Sequence, residues 1–268
     1  MSPAPCGITR VPAKPHGRVS AGAVCWLSLG SWLLALAACA VPPALSVPPA
    51  PPALPSLAGL VQRSAPAVVG IAGEVGAHPA ERAAMGMGMG VVGSGFRIAN
   101  TRLIATAAHV VVALPSPPVV VWNAQHWPAR VLRIDEQADL ALLEIDGAPP
   151  MPGLDLAPIA GVSGAATSAT MPGQWVLVLG CPFGALPTAT VGIVSALPGA
   201  VLWPEVLRHR MQLNAAINPG NSGGPVLNLD GQVIAVANAT VPSGYGLGFA
   251  VPVADLHTLL KAIGGDRR

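Results

Sequence analysis

The stretch N-A-A-I-N-P-G-N-S-G-G-P-V-L-N-L-D-G-Q-V-I-A-V-A, residues 214–237, sets one serine, Ser222, between Gly220 and the pair Gly223-Gly224. Glycine has no Cβ, so backbone N–H groups around such a serine can turn inward and come close to another atom. A hydroxyl in that setting is a candidate nucleophile and equally a turn residue. The runs that follow, P-V-L-N-L and Q-V-I-A-V-A, are joined by Asp230-Gly231, a strong hairpin signal. The segment is therefore read as antiparallel β.

The pattern extends outward from there. From Ala67 the chain repeats short β-rich runs: V-V-G-I-A, V-V-G-S-G-F-R-I, L-I-A-T-A-A, P-V-V-V-W, A-R-V-L-R-I, A-L-L-E-I, W-V-L-V-L-G, T-V-G-I-V-S-A, M-Q-L-N-A-A, P-V-L-N, Q-V-I-A-V-A and G-L-G-F-A-V. The spacers are rich in turn residues and too short for intervening helices, which predicts antiparallel sheets closed into sandwiches or barrels and argues against βαβ units. Gly153 to Gly173 reads as a connector between two halves. Only the C-terminus reads as helix. There Leu256, Leu259, Leu260 and Ile263 recur at helical spacing, with Asp255 early in the helix and Gly264 just past its end.

Composition narrows the function classes. The chain has 268 residues, of which 10% are charged, and a mean hydropathy of +0.58. Its apolar residues are mostly spread over short segments, so only the N-terminal region is a membrane candidate. Residues 1–18 carry Arg10, Lys14 and Arg18 and no acidic residue, and Ala21 to Ala38 is uncharged and apolar, the form of an export signal. Leu36-Ala37-Ala38-Cys39 resembles the bacterial lipobox, in which the cysteine is lipidated; an ordinary cleaved signal and an uncleaved anchor are the alternatives. All three place the remainder outside the cytoplasm, in the cell envelope or periplasm, with Cys39 as the lipid anchor on the first reading. Residues 40–56 form a Pro-rich spacer, and the folded domain is expected over 57–268. From residue 40 onward eleven Lys/Arg face twelve Asp/Glu, so no basic stripe exists for nucleic acid. Of the four cysteines, Cys6, Cys25, Cys39 and Cys181, only the last lies in the body, which rules out a disulfide framework. No Cys/His cluster suggests a metal, and no cofactor is implied.

A nucleophilic serine needs a base within hydrogen-bond reach, usually histidine, and an acid that fixes the histidine's tautomer. Among six histidines, His109 is the one that follows an apolar strand, L-I-A-T-A-A. Asp139 in E-Q-A-D-L-A-L-L-E-I directly precedes another. Singly, each has an ordinary reading: a surface histidine, a turn aspartate, a loop serine. Together, in the order His109, Asp139, Ser222 on an all-β chain, they form a catalytic constellation.

G-S-G-F at 93–96, A-T-A-A-H-V-V at 105–111, A-D-L-A-L-L-E-I at 138–145, G-C-P-F-G at 180–184, T-V-G-I-V-S-A at 190–196, N-P-G-N-S-G-G-P at 218–225 and G-F-A-V-P at 248–252 resemble the HtrA/Deg family of trypsin-like serine proteases. The similarity covers about residues 54–263. It implies an all-β fold of two antiparallel β-barrels, about 57–150 and 174–254, with a C-terminal helix at about 253–263 and the active site in the cleft between the barrels. It implies that Ser222 attacks the scissile carbonyl, His109 takes and returns the proton, and Asp139 orients His109. The backbone N–H groups of Gly220 and Ser222, with Asn221 between them, are the implied oxyanion hole. Polypeptides, unfolded ones above all, are the implied substrates, and a homotrimer built through residues 54–66 is an option that the sequence leaves open.

Several features depart from that family's pattern. Cys181 stands where Asn is frequent, and Asn214 where Asp is common. The Gly73–Gly90 loop ends M-G-M-G-M-G; Gly88 to Gly93 formally match G-x-G-x-x-G, but no nucleotide-binding βαβ unit surrounds them. Only five residues follow Ile263, so a PDZ domain on the same chain is not expected. Six positions before the serine, where enzymes that cut after Lys/Arg place Asp, stands Ala216; with Ile217, Ala239 and Leu247 as further candidate pocket residues, cleavage after small or medium aliphatic residues is expected. Two competing readings remain. G-x-S-x-G also matches the α/β-hydrolase elbow, but Pro225 and the Asp230-Gly231 hairpin occupy the place of the helix that elbow needs. The other is a catalytically silent protease fold acting as a chaperone or binding module in the envelope.

Overall fold

A computed structural model of the chain describes residues 56–73, 90–145, 147, 149–159, 170–181, 187–200, 205–240 and 246–266. The export segment with Cys39, the linker up to residue 55, most of the Gly73–Gly90 loop and residues 160–169 of the connector lie outside them.

Among the described residues, twelve strands build two closed barrels of six, antiparallel throughout. The first takes β1 (Val68–Ala72), β2 (Val91–Arg97), β3 (Leu103–Thr106), β4 (Val119–Trp122), β5 (Gln125–Asp135) and β6 (Leu140–Ile145) in the order β1-β2-β3-β6-β5-β4. The second takes β7 (Trp175–Gly180), β8 (Thr188–Ala196), β9 (Met211–Leu213), β10 (Pro225–Leu227), β11 (Val233–Thr240) and β12 (Gly248–Pro252) in the order β10-β11-β12-β9-β8-β7. Closure removes the unpaired strand edges that an open sheet would expose.

Two strands, one from each barrel, explain the unbroken apolar runs. Along β6, Ala141, Leu143 and Ile145 fill the first barrel, while Leu140 and Leu142 face outward into a second cluster. Along β7, Val176 and Val178 fill the second barrel, while Leu177 and Leu179 face that same outer cluster. Successive strand residues point to opposite faces, so a strand buried on both sides loses its polar alternation. The shared cluster, with Phe96, Leu227 and Val236, is the core between the barrels.

Helix α1 (Leu57–Ser64) lays the buried Leu60 on this inter-barrel core. Two further short helices, α2 (Ala108–Val112) and α3 (Glu205–Arg208), join strands. Helix α4 (Val253–Asp266) returns to the inter-barrel core through Leu256, Leu259, Leu260 and Ile263. The expectation of helix at the C-terminus alone is thereby corrected: α1 to α3 have eight, five and four residues, and runs that short leave little helical periodicity to read. The last helix also runs through Gly264 to Asp266 instead of stopping before the glycine.

Candidate active site

Strand β3 ends at Thr106, Ala107 stays extended, and α2 begins at Ala108, so His109 stands in the first turn of a short helix at the mouth of the first barrel. Asp139 ends the turn between β5 and β6 with φ of 56°. That left-handed region costs most L residues energy and is better tolerated by Asp and Asn. The turn is pinned by Asp135, whose Oδ1 accepts from the Ala138 N–H at 2.9 Å.

The carboxylate of Asp139 meets His109 twice. Oδ1 accepts from the His109 backbone N–H at 2.8 Å, and Oδ2 lies 2.7 Å from Nδ1. The side-chain amide of Asn238 also donates to Oδ2. Burial pushes the Asp139 carboxyl up, but the bonds from the His109 ring and backbone, the His109 charge and the Asn238 amide outweigh it and hold the group below the ordinary carboxylate range. An ionised Asp139 favours a proton on Nδ1, which leaves the Nε2 lone pair free to act as a base.

Ser222 belongs to the turn between β9 and β10. The turn is fastened to β11, with the Gly223 N–H donating to Ala237 O at 2.7 Å and the Ala237 N–H to Gly224 O at 2.8 Å. It is also fastened to the first barrel. The Ser94 N–H on β2 donates to Ser222 O at 2.8 Å, and the fully buried Ser94 hydroxyl donates to Gly220 O at 2.5 Å and accepts from the Cys181 N–H at 2.7 Å. Two glycines allow this approach. A Cβ on Gly93 would meet Val110 at 2.5 Å and Ser222 O at 3.1 Å, and one on Gly223 would meet Ser94 O at 2.1 Å and Thr106 Oγ1 at 2.4 Å. The serine turn and the histidine segment therefore press on the same points of the first barrel.

The Ser222 hydroxyl does not bond to His109 here; it donates to the carbonyl of Asn238 at 2.9 Å. Of the three candidate oxyanion amides, that of Asn221 is committed to Asn218 O at 2.9 Å, which takes it out of the set. The amides of Gly220, with φ of 93°, and of Ser222 have no acceptor among the described residues. They are the pair left to face a developing negative charge.

Asn238 is a further candidate site residue, one that the sequence does not single out. The register of β11 against β12 shifts between Ala237 and Ala239, leaving Asn238 as the extra residue of a β-bulge. Bulges re-aim side chains beside active sites. The faint signal in the sequence is one polar residue closing an apolar run, V-I-A-V-A-N. Of the proposed pocket residues, Ile217 is buried in the second barrel's core, Ala216 is exposed with its carbonyl accepting from the Thr190 hydroxyl at 2.8 Å, and Leu247 is half-buried. Ala239 lies on β11. Cys181 is buried. Among the described residues no group of three or more His, Cys, Asp or Glu could hold a metal ion.

Comparison with known proteins bears on the family and the fold. Residues 93–236 match the family model described as "Trypsin-like peptidase domain". The chain is 38% identical over 165 residues to a "Probable periplasmic serine endoprotease DegP-like" of Chlamydia pneumoniae, covering 60% of this chain and 32% of that protein. It is 37% identical over 229 residues to "Serine protease HTRA2, mitochondrial" of Bos taurus, covering 82% of this chain and 47% of that protein. The chain thus spans a third to a half of the length of these relatives. A solved structure, "Crystal structure of the serine endoprotease from Yersinia pestis", aligns with a TM-score of 0.62 and 27% identity over 81% of this chain and 69% of that one. The chain belongs to the trypsin-like peptidase family, among serine proteases of the DegP/HtrA type.

Proposed function

We propose that this chain is a serine endopeptidase working through an acyl-enzyme formed on Ser222. The observation that carries the reading is the double hold of Asp139 on His109, at the mouth of the barrel that the serine turn presses against. In the reaction, Ser222 Oγ leaves the Asn238 carbonyl by side-chain rotation and attacks the scissile carbon as His109 Nε2 takes its proton. The oxyanion forms against the Gly220 and Ser222 amides. A donor of that kind contributes about 3 kcal/mol. Imidazolium then protonates the leaving amine, and water activated by the same Nε2 releases the acyl group and restores the serine.

Further parts of the reading rest on sequence. Export to the cell envelope with lipid attachment at Cys39, unfolded or damaged exported proteins as substrates, a homotrimer, and cleavage after small or medium aliphatic residues are proposed with it. Comparable hydrolysis of Arg and Val peptides contradicts the last of these.

One observation favours a second reading, a silent protease fold that binds unfolded chains: the Ser222 hydroxyl is bonded away from His109. The two readings separate in a casein assay with the full chain. Turnover that is lost in Ser222→Ala supports the peptidase; binding of unfolded casein without turnover supports the silent fold.

A further inference from the structure

Arg210, between α3 and β9, sends its guanidinium out of the second barrel into the first, where Nη1 donates to the carbonyl of Ala138 at 2.7 Å. The residue is only 8% exposed, and its Nε has no hydrogen-bond partner among the described residues. Asp255, at the start of α4, lies within electrostatic reach of Arg210, of Asp135 at the end of β5, and of His209. Burial pushes the Asp255 carboxyl up, an effect that the Arg210 charge partly offsets, Asp135 adds to and His209 opposes.

A buried guanidinium with an unfilled donor is a poor way to stabilise a fold, because desolvation cancels much of what its contacts return. Its location suggests another use. Ala138 immediately precedes Asp139 and is held at both ends: Asp135 takes its N–H and Arg210 its carbonyl. The next residue sits at a φ of 56°, a conformation that persists when its surroundings over-determine it.

We propose that Arg210 is a positioning residue for the proton relay, fixing the Asp139 turn from the opposite barrel. It touches neither substrate nor the reacting atoms; it acts through the Ala138 peptide on the direction of the Asp139 carboxylate. The geometry of His109 and Asp139, both on the first barrel, thereby depends on the docking of the second barrel, which carries Ser222. The inference rests on Asp139 being the acid of the relay.

The test is a double-mutant cycle on the full chain, with kcat referred to active sites titrated by a fluorophosphonate so that unfolded protein is not counted. Arg210→Met keeps the stem and removes the donors. Arg210→Lys keeps the buried charge and shortens the reach. With Asp139 present, the expected loss in kcat is about 10- to 100-fold for Met and smaller for Lys, with KM changed less than about threefold; in the Asp139→Asn background the same changes cost less than about twofold, because the group they act through is gone. Equal factors in both backgrounds, or no loss with Asp139 present, overturn the role of Arg210. Should Met fail to fold, the Lys variant in the two backgrounds decides by the same comparison. Failure of the peptidase reading is separate: wild-type chain then shows no turnover, or Ser222→Ala retains it.

Discussion

The carboxylate of Asp139 grips both the ring and the main chain of His109, at 2.7 Å from Nδ1 and 2.8 Å from the backbone nitrogen. The main-chain bond fixes the start of α2, and the ring bond fixes the tautomer. Replacing Asp139 by Asn is expected to lower kcat by about 10⁴-fold with little change in KM, since an amide oxygen that accepts from Nδ1–H sets the amide NH2 against the His109 main-chain N–H. Steady-state kinetics on an unfolded substrate checks this.

The same contacts give stability a pH dependence. Asp139 titrates below its ordinary value in the folded chain, so its contribution is present above the unfolded value of about 3.9 and is lost as pH falls through the lower folded value. Thermal unfolding measured from pH 5 downward is expected to fall more steeply for wild type than for Asp139→Asn. Parallel curves contradict the assignment.

Asn238 ties two members of the proposed triad together, donating to Asp139 through its side chain and accepting from Ser222 through its carbonyl. Asn238→Ala removes only the first tie. A hydrogen bond to a charged group contributes about 1.5–3 kcal/mol, so kcat is expected to drop on the order of 10- to 100-fold while the Ser222 turn stays intact. Fluorophosphonate labelling slowed together with peptide turnover, at a largely unchanged Tm, is the expected pattern.

Gly223→Ala tests the packing of the nucleophile turn. Its φ is +87°, and a Cβ there meets Ser94 O at 2.1 Å. Strain and overlap together should cost about 3 kcal/mol or more. Gly173 shares the φ of +87° but has nothing within 4 Å, so Gly173→Ala should cost only about 1–2 kcal/mol. Denaturant titration of the pair separates backbone strain from crowding.

Ser94→Ala removes the buried hydroxyl that bonds to Gly220 O and to the Cys181 N–H. Loss of a buried hydrogen bond costs about 1–3 kcal/mol. At about 2–4 °C per kcal/mol for a chain of this size, a fall in Tm of several degrees is expected, together with slower acylation, because the Gly220 carbonyl is no longer anchored. An unchanged Tm contradicts the role assigned to that hydroxyl.

What the sequence made legible, and what it did not, follows from the range of the interactions. Strands such as V-V-G-I-A and W-V-L-V-L-G were readable because their apolar β-rich pattern is local, and Asp230-Gly231 because Gly231 takes a φ of +86° in the turn. The hairpin at Asn123-Ala124 carries no such signal. Both residues have positive φ, at 49° and 58°, but alanine there lacks the glycine signature, so the polar start of β5 at Gln125 does not read as strand. His109, Asp139 and Ser222 could be singled out by residue type and order. Asn238 and Arg210 could not, since one depends on a bulge in the β11–β12 register and the other on a contact between barrels. Ile217, a candidate pocket residue, packs with the core cluster of the second barrel.

Covalent labelling tests the nucleophile most directly. Full chain is treated with a fluorophosphonate and the modified residue located by peptide mass. The expected result is one label per active chain, on Ser222, abolished by Ser222→Ala and strongly slowed by replacing His109 with Ala. Labelling that persists at wild-type rate in Ser222→Ala contradicts the assignment.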